Sequence, residues 1–453
     1  MSTGKKLFGI SAADKARLLT AMRRNNETDV SKQEEGRTAR VSIAPEWLRF
    51  DSLPGYTEIR VQQAVARQAG LEDLFYVCHE GLGTARTCIN GREYLNFSCY
   101  DYLGLNGDAR VLEAASKAAQ QYGMSASASR LTAGERPPHR ELEQAIAGLY
   151  GVEDCICFVS GHATNVSTLG KLVGPYDVIF HDALCHNSLL LGATLSGATR
   201  IAYPNNDMDA LARLLESRRY SHQRAVIVSE GLFGMDGCLC DLPSLVELKR
   251  EHGCLLMIDE AHSLGVLGRT GRGVHEHFAL PAADVDIWMG TLSKSFCGCG
   301  GYIAGSAALV EFLKYQAPGF VYSVGMPPSV AAASAEAARI MLAEPQRLER
   351  LHGNCKLLLE LARDAGLDTG KAEGFAVIPV MVGDSLTAAI LSQELRHRGV
   401  LALPIIYPGV EEGKARLRFF VSAMHSEDDL RTAVAMTSEA LPVARDKAAS
   451  YAR

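Results

Sequence analysis

The chain has 453 residues, of which 47% are hydrophobic and 22% charged, a composition typical of a globular protein with a sizeable core. Acidic residues outnumber basic ones by 52 to 46 and no basic stripe stands out, so a nucleic-acid partner is not expected. The sequence contains no apolar run of about eighteen residues, which argues against a membrane-spanning helix.

The N-terminal part of the chain is mostly polar. An apolar pattern predicts one helix from Ser11 to Met22, and the polar stretch Asn25 to Arg40 reads as a linker. This segment is either a loose tail or a docking element, and it lacks the apolar core of a secretory signal. The 12 cysteines are scattered along the chain, unlike a disulfide framework. We therefore expect reduced, mostly buried thiols and a cytoplasmic location.

Between residues 154 and 305 short apolar runs alternate with amphipathic stretches. Such runs are typical of strands buried on both faces, and Met208–Arg218 and Leu242–His252 have the pattern of helices. The alternation predicts an α/β domain with a mostly parallel sheet. The predicted strands are Cys155–Val159, Val178–His181, Thr199–Tyr203, Ala225–Ser229, Leu255–Asp259, Ile287–Gly290 and Gly301–Gly305.

A second, smaller set of elements is predicted after an Ala-rich helix at Ser329–Leu342. Strands at Phe375–Val382 and Leu417–Ser422, with a helix at Leu386–Arg398 between them, indicate a small C-terminal α+β domain. We predict four parts: an N-terminal helix and linker (1–46), an N-terminal segment (47–110), a large domain (111–342) and a small domain (343–453).

Two of the predicted strands deliver a carboxylate and an amine. The run Leu255–Asp259 leads into Asp259-Glu-Ala-His262, and the next run leads into Thr291-Leu-Ser-Lys294. A lysine amine can form a Schiff base with the aldehyde of pyridoxal phosphate (PLP), and a carboxylate keeps the pyridine nitrogen protonated. The carboxyl ends of parallel strands face the crevice where ligands bind. The pair Lys294 and Asp259 therefore predicts a PLP enzyme.

Three further turns fit the same site. Gly161 and His162 follow a predicted strand and open a helix, so their N–H groups are suited to a phosphate. His186 follows the next strand and could stack on a flat ring, although a lone histidine is more often structural. Glu230 lies directly after the predicted strand Ala225–Ser229 and opens a glycine-rich turn. Each signal is weak alone, and their order around Lys294 strengthens them.

Two other interpretations are set aside. Asp-Glu-Ala-His also occurs in helicases, but no G-x-x-x-x-G-K-[ST] sequence accompanies it. The pairs Cys238/Cys240 and Cys297/Cys299 do not have the spacing of paired zinc ligands, so no metal site is predicted.

Seven motifs follow one another in order: Tyr102-Leu-Gly-Leu105, Ser160-Gly-His-Ala-Thr-Asn165, His186-Asn-Ser188, Glu230-Gly-Leu-Phe-Gly-Met-Asp-Gly237, Asp259-Glu-Ala-His262, Gly271-Arg-Gly273 and Thr291-Leu-Ser-Lys294. Together they resemble the α-oxoamine synthases, the family of serine palmitoyltransferase, 8-amino-7-oxononanoate synthase and 2-amino-3-ketobutyrate CoA ligase. The resemblance runs from about Phe75 to Leu441. It implies PLP fold type I, the aspartate-aminotransferase type, and a homodimer with active sites at the subunit interface.

The resemblance also implies a role for each matched residue. Lys294 would carry the Schiff base, Asp259 would hold the pyridine nitrogen, and Arg418 would receive the carboxylate of the amino acid. The other implied contacts are His262 at the phenolic oxygen, His186 on the ring face, Gly161, His162 and Thr291 at the phosphate, Glu230 beside the cofactor, Tyr100 at the substrate, and Ser323 at the phosphate of the neighbouring subunit. Gly234, Val324 and Ile406 depart from residues common in the family, which leaves the amino acid open.

The implied reaction is a decarboxylative condensation of Claisen type, in which an amino acid and an acyl thioester give an α-amino ketone. CoA and acyl carrier protein both stay open as the acyl carrier. Two alternatives remain: an aminotransferase or aldolase on the same fold, which would use no thioester, and a non-catalytic partner subunit. The presence of Lys294, Asp259 and His186 argues against the second.

Overall fold

The computed structural model describes residues 44–451, and the chain divides into two compact units after residue 69. In the first unit, two short 3-10 turns, Pro45–Leu48 and Phe50–Ser52, precede the helix Pro54–Gln68. A proline suits the first turn of a helix, because its missing N–H has no acceptor there in any case. The helix predicted at Ser11–Met22 lies outside the described residues.

A seven-stranded sheet occupies the middle of the second unit. Its strands are β3 (Asp154–Phe158), β4 (Val178–Asp182), β5 (Thr199–Tyr203), β6 (Ala225–Glu230), β7 (Leu255–Asp259), β8 (Ile287–Thr291) and β9 (Gly301–Gly305), after a hairpin of β1 (Arg86–Ile89) and β2 (Arg92–Asn96). The order is β3-β9-β8-β7-β6-β4-β5, and β9 alone runs antiparallel to its neighbours. This confirms the mostly parallel α/β sheet, and every predicted strand of it lies within one residue of its observed bounds.

The central strands are apolar along their whole length because both faces of the sheet are covered. On β6, Ile227 packs into one hydrophobic cluster, whereas its neighbours Val226 and Val228 pack into another on the opposite face. On β7, Met257 likewise belongs to the second cluster and Ile258 to the first. Alternate side chains of a strand point to opposite faces, so a strand between two helical layers cannot expose either set.

Two smaller sheets complete the second unit. In one, β13 (Ala415–Phe420) lies between β10 (Val377–Gly383) and β12 (Pro404–Ile405), antiparallel to both. In the other, β11 (Val400–Leu401) runs parallel to β2 of the N-terminal hairpin. The two strands predicted in the small domain are confirmed to within two residues. The pairing of β11 with β2 was not predicted, and the proposed boundaries at residues 110 and 342 remain predictions.

Several helices of the second unit begin at local capping signals. Asp207 and Asp241 accept the N–H groups of Ala210 and Ser244, at 2.8 and 3.2 Å, and so fix two predicted helix starts. The helices are Ala109–Tyr122, Pro137–Tyr150, Gly161–Leu172, Asn187–Ser196, Met208–Arg218, Leu242–His252, Val274–His277, Ala307–Gln316, Pro318–Val321, Pro328–Ala343, Pro345–Asp364, Ser385–His397 and Glu427–Tyr451. Within residues 44–451 no helix is long and apolar enough to span a membrane.

The cysteines are free thiols, and seven of the twelve are buried. Several lie on the central strands, among them Cys155 and Cys157 on β3, where they act as small apolar side chains. The prediction of reduced, mostly buried thiols is therefore confirmed.

Candidate active site

The carboxyl ends of β6, β7 and β8 meet at one edge of the central sheet and bring three predicted residues together. Glu230 ends β6 and lies directly opposite Asp259, the last residue of β7. Thr291 ends β8, and Lys294 follows three residues later. Because neighbouring parallel strands end side by side, residues far apart in sequence share one crevice.

The side-chain amine of Lys294 has a lowered pKa. Its Nζ atom lies 5.4 Å from the centre of the Tyr100 ring. Burial lowers the pKa of Lys294 from 10.5 to about 7, and Arg418 adds to the effect, while Asp259 and Glu230 act in the opposite direction. A large fraction of this amine is therefore neutral near neutral pH, as a nucleophile or a proton acceptor requires.

Asp259 is held by two donors, one on each carboxylate oxygen. Nδ2 of Asn165 donates to Oδ2 at 2.9 Å, and the backbone N–H of Ala261 donates to Oδ1 at 2.9 Å. The side chain is buried, and the two donors fix the orientation of its carboxyl group. Asp259 can thus offer a fixed negative charge to a cationic ring nitrogen.

Glu230 supports the wall of the crevice. Its Oε1 accepts the N–H of His186 at 2.6 Å, and its Oε2 accepts the N–H of Gly234 at 3.4 Å. Burial raises the pKa of Glu230, and repulsion from Asp259 raises it further. The carboxyl group therefore connects the loop of His186 to the turn at Gly234. Its predicted contact with a cofactor stays a prediction.

His262 is positioned by Tyr102 on one side and Gly234 on the other. The Tyr102 hydroxyl lies 2.9 Å from Nδ1 of His262, and the imidazole stacks nearly parallel to the Phe420 ring, with centroids 6.3 Å apart. Burial lowers the pKa of His262 far below its usual value. A Cβ atom on Gly234 would stand 2.3 Å from Nε2, so His262 can occupy this position only beside glycine.

Arg418 lies on β13, and its guanidinium group is held on one side by a carbonyl oxygen and an aromatic ring. Its Nη1 donates to the carbonyl oxygen of Gly234 at 2.7 Å, and its guanidinium carbon lies 4.5 Å above the centre of the Phe420 ring. Its Nε is buried and has no acceptor among residues 44–451. Arg416, two residues before it, is instead paired with Asp236 at 2.7 Å. Arg418 is thus the arginine of this strand that is suited to bind an anion.

The predicted phosphate turn packs against the end of β8. Gly161 begins the helix Gly161–Leu172, and Ser160 caps it by accepting the N–H of Ala163 at 3.4 Å. A Cβ atom on Gly161 would stand 2.9 Å from Oγ1 of Thr291, so glycine permits this close approach. His162 is exposed in the first turn. The first N–H groups of a helix have no acceptor within it, which makes this end an anion site.

Two further predicted residues lie beside helix ends, His186 before one helix and Ser323 after another. His186 caps the helix Asn187–Ser196, and its Nδ1 lies 2.7 Å from Oγ of Ser188. Ser323 lies on the loop after Pro318–Val321, where its hydroxyl donates to the carbonyl of Val324 at 3.2 Å. The contact predicted for Ser323 involves a second subunit and stays a prediction.

Sequence reasoning missed three residues that organise the crevice, namely Asn165, Ser188 and Tyr102. All three stand in the motifs quoted above, but nothing local distinguishes Ser188 and Tyr102 from ordinary turn or core residues. For Asn165 one signal was available, its place inside the predicted helix that begins at Gly161, because Asn is a poor helix former that needs a hydrogen-bonding reason to be there.

The residues that surround this crevice fit PLP. They include an amine of lowered pKa, a carboxylate fixed by two donors, a helix N-terminus beside Thr291, and the Nε of Arg418, which has no partner in the described part of the chain. These groups would match, in turn, the aldehyde, the ring nitrogen, the phosphate and the carboxylate of an amino-acid substrate.

Comparisons with known proteins agree with this description. The sequence model of the aminotransferase class I and II family matches residues 92–436. The 8-amino-7-oxononanoate synthase of Symbiobacterium thermophilum is 42% identical over 350 residues, which cover 77% of this chain and 89% of that protein. The serine palmitoyltransferase structure from Sphingomonas wittichii superposes with a TM-score of 0.83 at 28% identity, covering 87% of this chain and 99% of that one. A serine palmitoyltransferase structure with PLP as its internal aldimine also gives a TM-score of 0.83, at 26% identity over 88% and 99% of the two chains.

Proposed function

This chain belongs to the aminotransferase class I and II family and, within it, to the α-oxoamine synthases, and from that premise we propose how its residues divide the work of catalysis. The enzyme is an acyltransferase that condenses an amino acid with an acyl thioester in a PLP-dependent, decarboxylative reaction. The product is an α-amino ketone. The observation that carries the assignment is the half-buried amine of Lys294 next to the fixed carboxylate of Asp259.

The binding of PLP is proposed to use groups at or just after the carboxyl ends of four strands, β3, β4, β7 and β8. Asp259 would hold the ring nitrogen, and Lys294 would hold the aldehyde carbon. The N–H groups of Gly161 and His162 would hold the phosphate, because they lie at a helix N-terminus. Thr291, whose side chain lies against Gly161, would assist them. His186 would cover one face of the ring, and His262 would face its phenolic oxygen. When bound, PLP supplies an electron-accepting ring that stabilises negative charge on the α-carbon of the amino acid.

Substrate orientation is assigned to Arg418. Its guanidinium is fixed by the carbonyl of Gly234 and by the Phe420 ring, and its buried Nε still lacks an acceptor among the described residues. A carboxylate bound there would gain charge-assisted hydrogen bonds from a group that is already in place. The ring of Tyr100 is partly exposed and its centre lies 5.4 Å from Nζ of Lys294, and we assign it a contact with the substrate.

Proton transfer is assigned to Nζ of Lys294. With PLP and the amino acid bound, this amine would accept the proton of the α-carbon, and its lowered pKa would keep it neutral until then. The α-carbon would attack the thioester carbonyl, and the thiolate would leave and take a proton from solvent. After loss of CO₂, Lys294 would return its proton to the same carbon. The acyl carrier is CoA or an acyl carrier protein.

Assembly and location are part of the proposal. We propose a homodimer in the cytoplasm, in which Ser323 of each subunit reaches the phosphate site of the other. Support comes from the position of Ser323 on a loop flanked by exposed Tyr322 and Val324, since these are side chains that a second subunit could cover. Light scattering of the purified protein would test the dimer directly.

The test of the function is a paired assay of Lys294→Ala and Lys171→Ala. Lys171 lies at the exposed end of the helix Gly161–Leu172 and serves as the matched control. Each protein is supplied with PLP, with Gly, Ala, Ser or Thr, and with an acyl-CoA or acyl carrier protein. The wild type and Lys171→Ala should release thiol and CO₂ and form the amino ketone, whereas Lys294→Ala should lose both turnover and the visible absorption of lysine-bound PLP. Keto-acid formation without thiol release would identify an aminotransferase, and a colourless wild type would identify a non-catalytic subunit.

A further inference from the structure

Asn165 is a buried amide inside the helix Gly161–Leu172, where helix propensity does not favour asparagine. Only 1% of its surface is exposed. Both hydrogens of its amide nitrogen are used: Nδ2 donates to Oδ2 of Asp259 at 2.9 Å and to Oγ of Ser188 at 3.0 Å. Its Oδ1 has no donor among the described residues. Among the described residues, its two acceptors alone orient the side chain through hydrogen bonds.

The hydrogen positions in this group follow from the donors that surround it. The backbone N–H of Ser188 donates to Nδ1 of His186 at 3.3 Å, so Nδ1 must be without a proton. Oγ of Ser188 lies 2.7 Å from the same Nδ1, and its single hydrogen must therefore point at the imidazole. That leaves the lone pairs of Oγ to accept the hydrogen of Asn165. The proton of a neutral His186 then stands on Nε2.

We propose that Asn165 is a positioning residue that fixes the Asp259 carboxylate and, through Ser188, keeps the imidazole of His186 neutral with its proton on Nε2. This inference rests on the proposed function, because Asn165 can affect PLP only if Asp259 and His186 contact the PLP ring. Asp259 would face the ring nitrogen and His186 the ring surface, so one amide would adjust two contacts of one cofactor.

The electrostatic consequence explains why the two contacts should be linked. A ring whose nitrogen is protonated carries positive charge, and a positively charged imidazole stacked on it would be repelled. A neutral imidazole avoids that repulsion, while Asp259 supplies the compensating negative charge. The surroundings of His186 agree, since partial burial lowers its pKa and Lys294 lowers it further, although Asp259 opposes them.

The first test measures the proton itself in the PLP-loaded, full-length wild type. Nitrogen NMR of protein with labelled histidine reports which ring nitrogen is protonated, and the signal lost in His186→Gln identifies the residue. We expect Nε2 protonated and Nδ1 bare at neutral pH. A proton on Nδ1, alone or with one on Nε2, overturns the inference.

The second test measures PLP affinity in variants of one helix. Asn165→Ala should raise the Kd for PLP about tenfold or more, because a charge-assisted hydrogen bond to Asp259 is lost. Asn165→Asp keeps the shape but sets a second acid against Asp259, and should weaken binding further at high pH, where both would ionise. The matched control is Thr168→Val, one turn along, where a buried hydroxyl without a partner among the described residues is removed. It should leave the Kd within about twofold.

The outcomes separate this inference from the function on which it rests. A wild type that takes up no PLP and releases no thiol sinks the proposed function. If the wild type is active but Asn165→Ala binds PLP as tightly as Thr168→Val does, the role proposed for Asn165 is wrong and the proposed function stands. Circular dichroism confirms that each variant is folded before its Kd is compared.

Discussion

Lys294 in the PLP-free enzyme is expected to titrate near pH 7, because its pKa falls there from an ordinary value of 10.5. Loss of water on burial is the main cause, and the positive charge of Arg418 adds to it. At pH 7 about half of the Lys294 amines would be neutral, compared with about one in 3,000 for an ordinary lysine. Since only the neutral amine attacks an aldehyde, capture of PLP at pH 7 should be about a thousandfold faster than capture by a free lysine side chain.

The assay is stopped-flow mixing of PLP with the PLP-free enzyme across a range of pH, followed by the visible absorption of the product. The rate should rise about tenfold for each pH unit below 7 and level off above pH 8, because the neutral fraction then saturates. A lysine of ordinary pKa would give a rate that still climbs beyond pH 9.

Two variants test the cause of the pKa shift of Lys294. Each should move the midpoint of the curve of rate against pH, and the two should move it in opposite directions. Arg418→Gln removes a positive charge that lowers the pKa of Lys294, so its midpoint should move to higher pH. Glu230→Gln removes a group that raises it, so its midpoint should move to lower pH. It also removes a second titration from the same window, since the pKa of Glu230 is itself raised to about 8, by burial and then by Asp259. A profile without a plateau, or shifts of the opposite sign, would refute the reasoning.

Other substitutions probe the crevice around this amine. Arg418→Lys loses the planar fork that the carbonyl of Gly234 and the Phe420 ring hold in place, so the KM for the amino acid should rise about tenfold, with a smaller fall in kcat; steady-state kinetics with an unchanged KM would contradict this role. Gly234→Ala places a methyl group 2.3 Å from Nε2 of His262, so a crystal structure should show the imidazole displaced from Tyr102, and an unmoved ring would show that the backbone yields instead. Tyr102→Phe removes the hydroxyl bonded to His262 inside the core, and urea unfolding should give a free energy of unfolding lower by about 1–2 kcal/mol. Equal stability would mean that the histidine finds another partner.

Much of the fold can be predicted from the sequence because its central strands are buried on both faces. Each of them is a short apolar run between polar turns. Helices cover both faces of the sheet, so a strand that alternated polar and apolar side chains would bury its polar ones. The helix Met208–Arg218 is marked at its start by Asp207, a local capping signal. The short strands β11 and β12 carry no such signal, since two-residue strands depend on the neighbours that pair with them.

The chemical groups of the site can also be identified from the sequence, but their arrangement cannot. Lys294 and Asp259 each follow an apolar run, so their place at the ends of strands is encoded locally. Nothing local indicates that Asn165, four residues into a helix, reaches the carboxylate of Asp259, or that Gly234 makes room for His262.

By itself, then, the amino-acid sequence determined the α/β architecture and identified Lys294 and Asp259. Each of these depends on a contiguous pattern of polar and apolar residues. Only the tertiary structure decided which groups touch and what their protonation states are. Hydrogen bonds such as those of Asn165 and Tyr102 join residues 94 and 160 positions apart in the chain. The lowered pKa of Lys294 likewise comes from burial by segments that are distant in sequence, and burial exists only once the chain has folded.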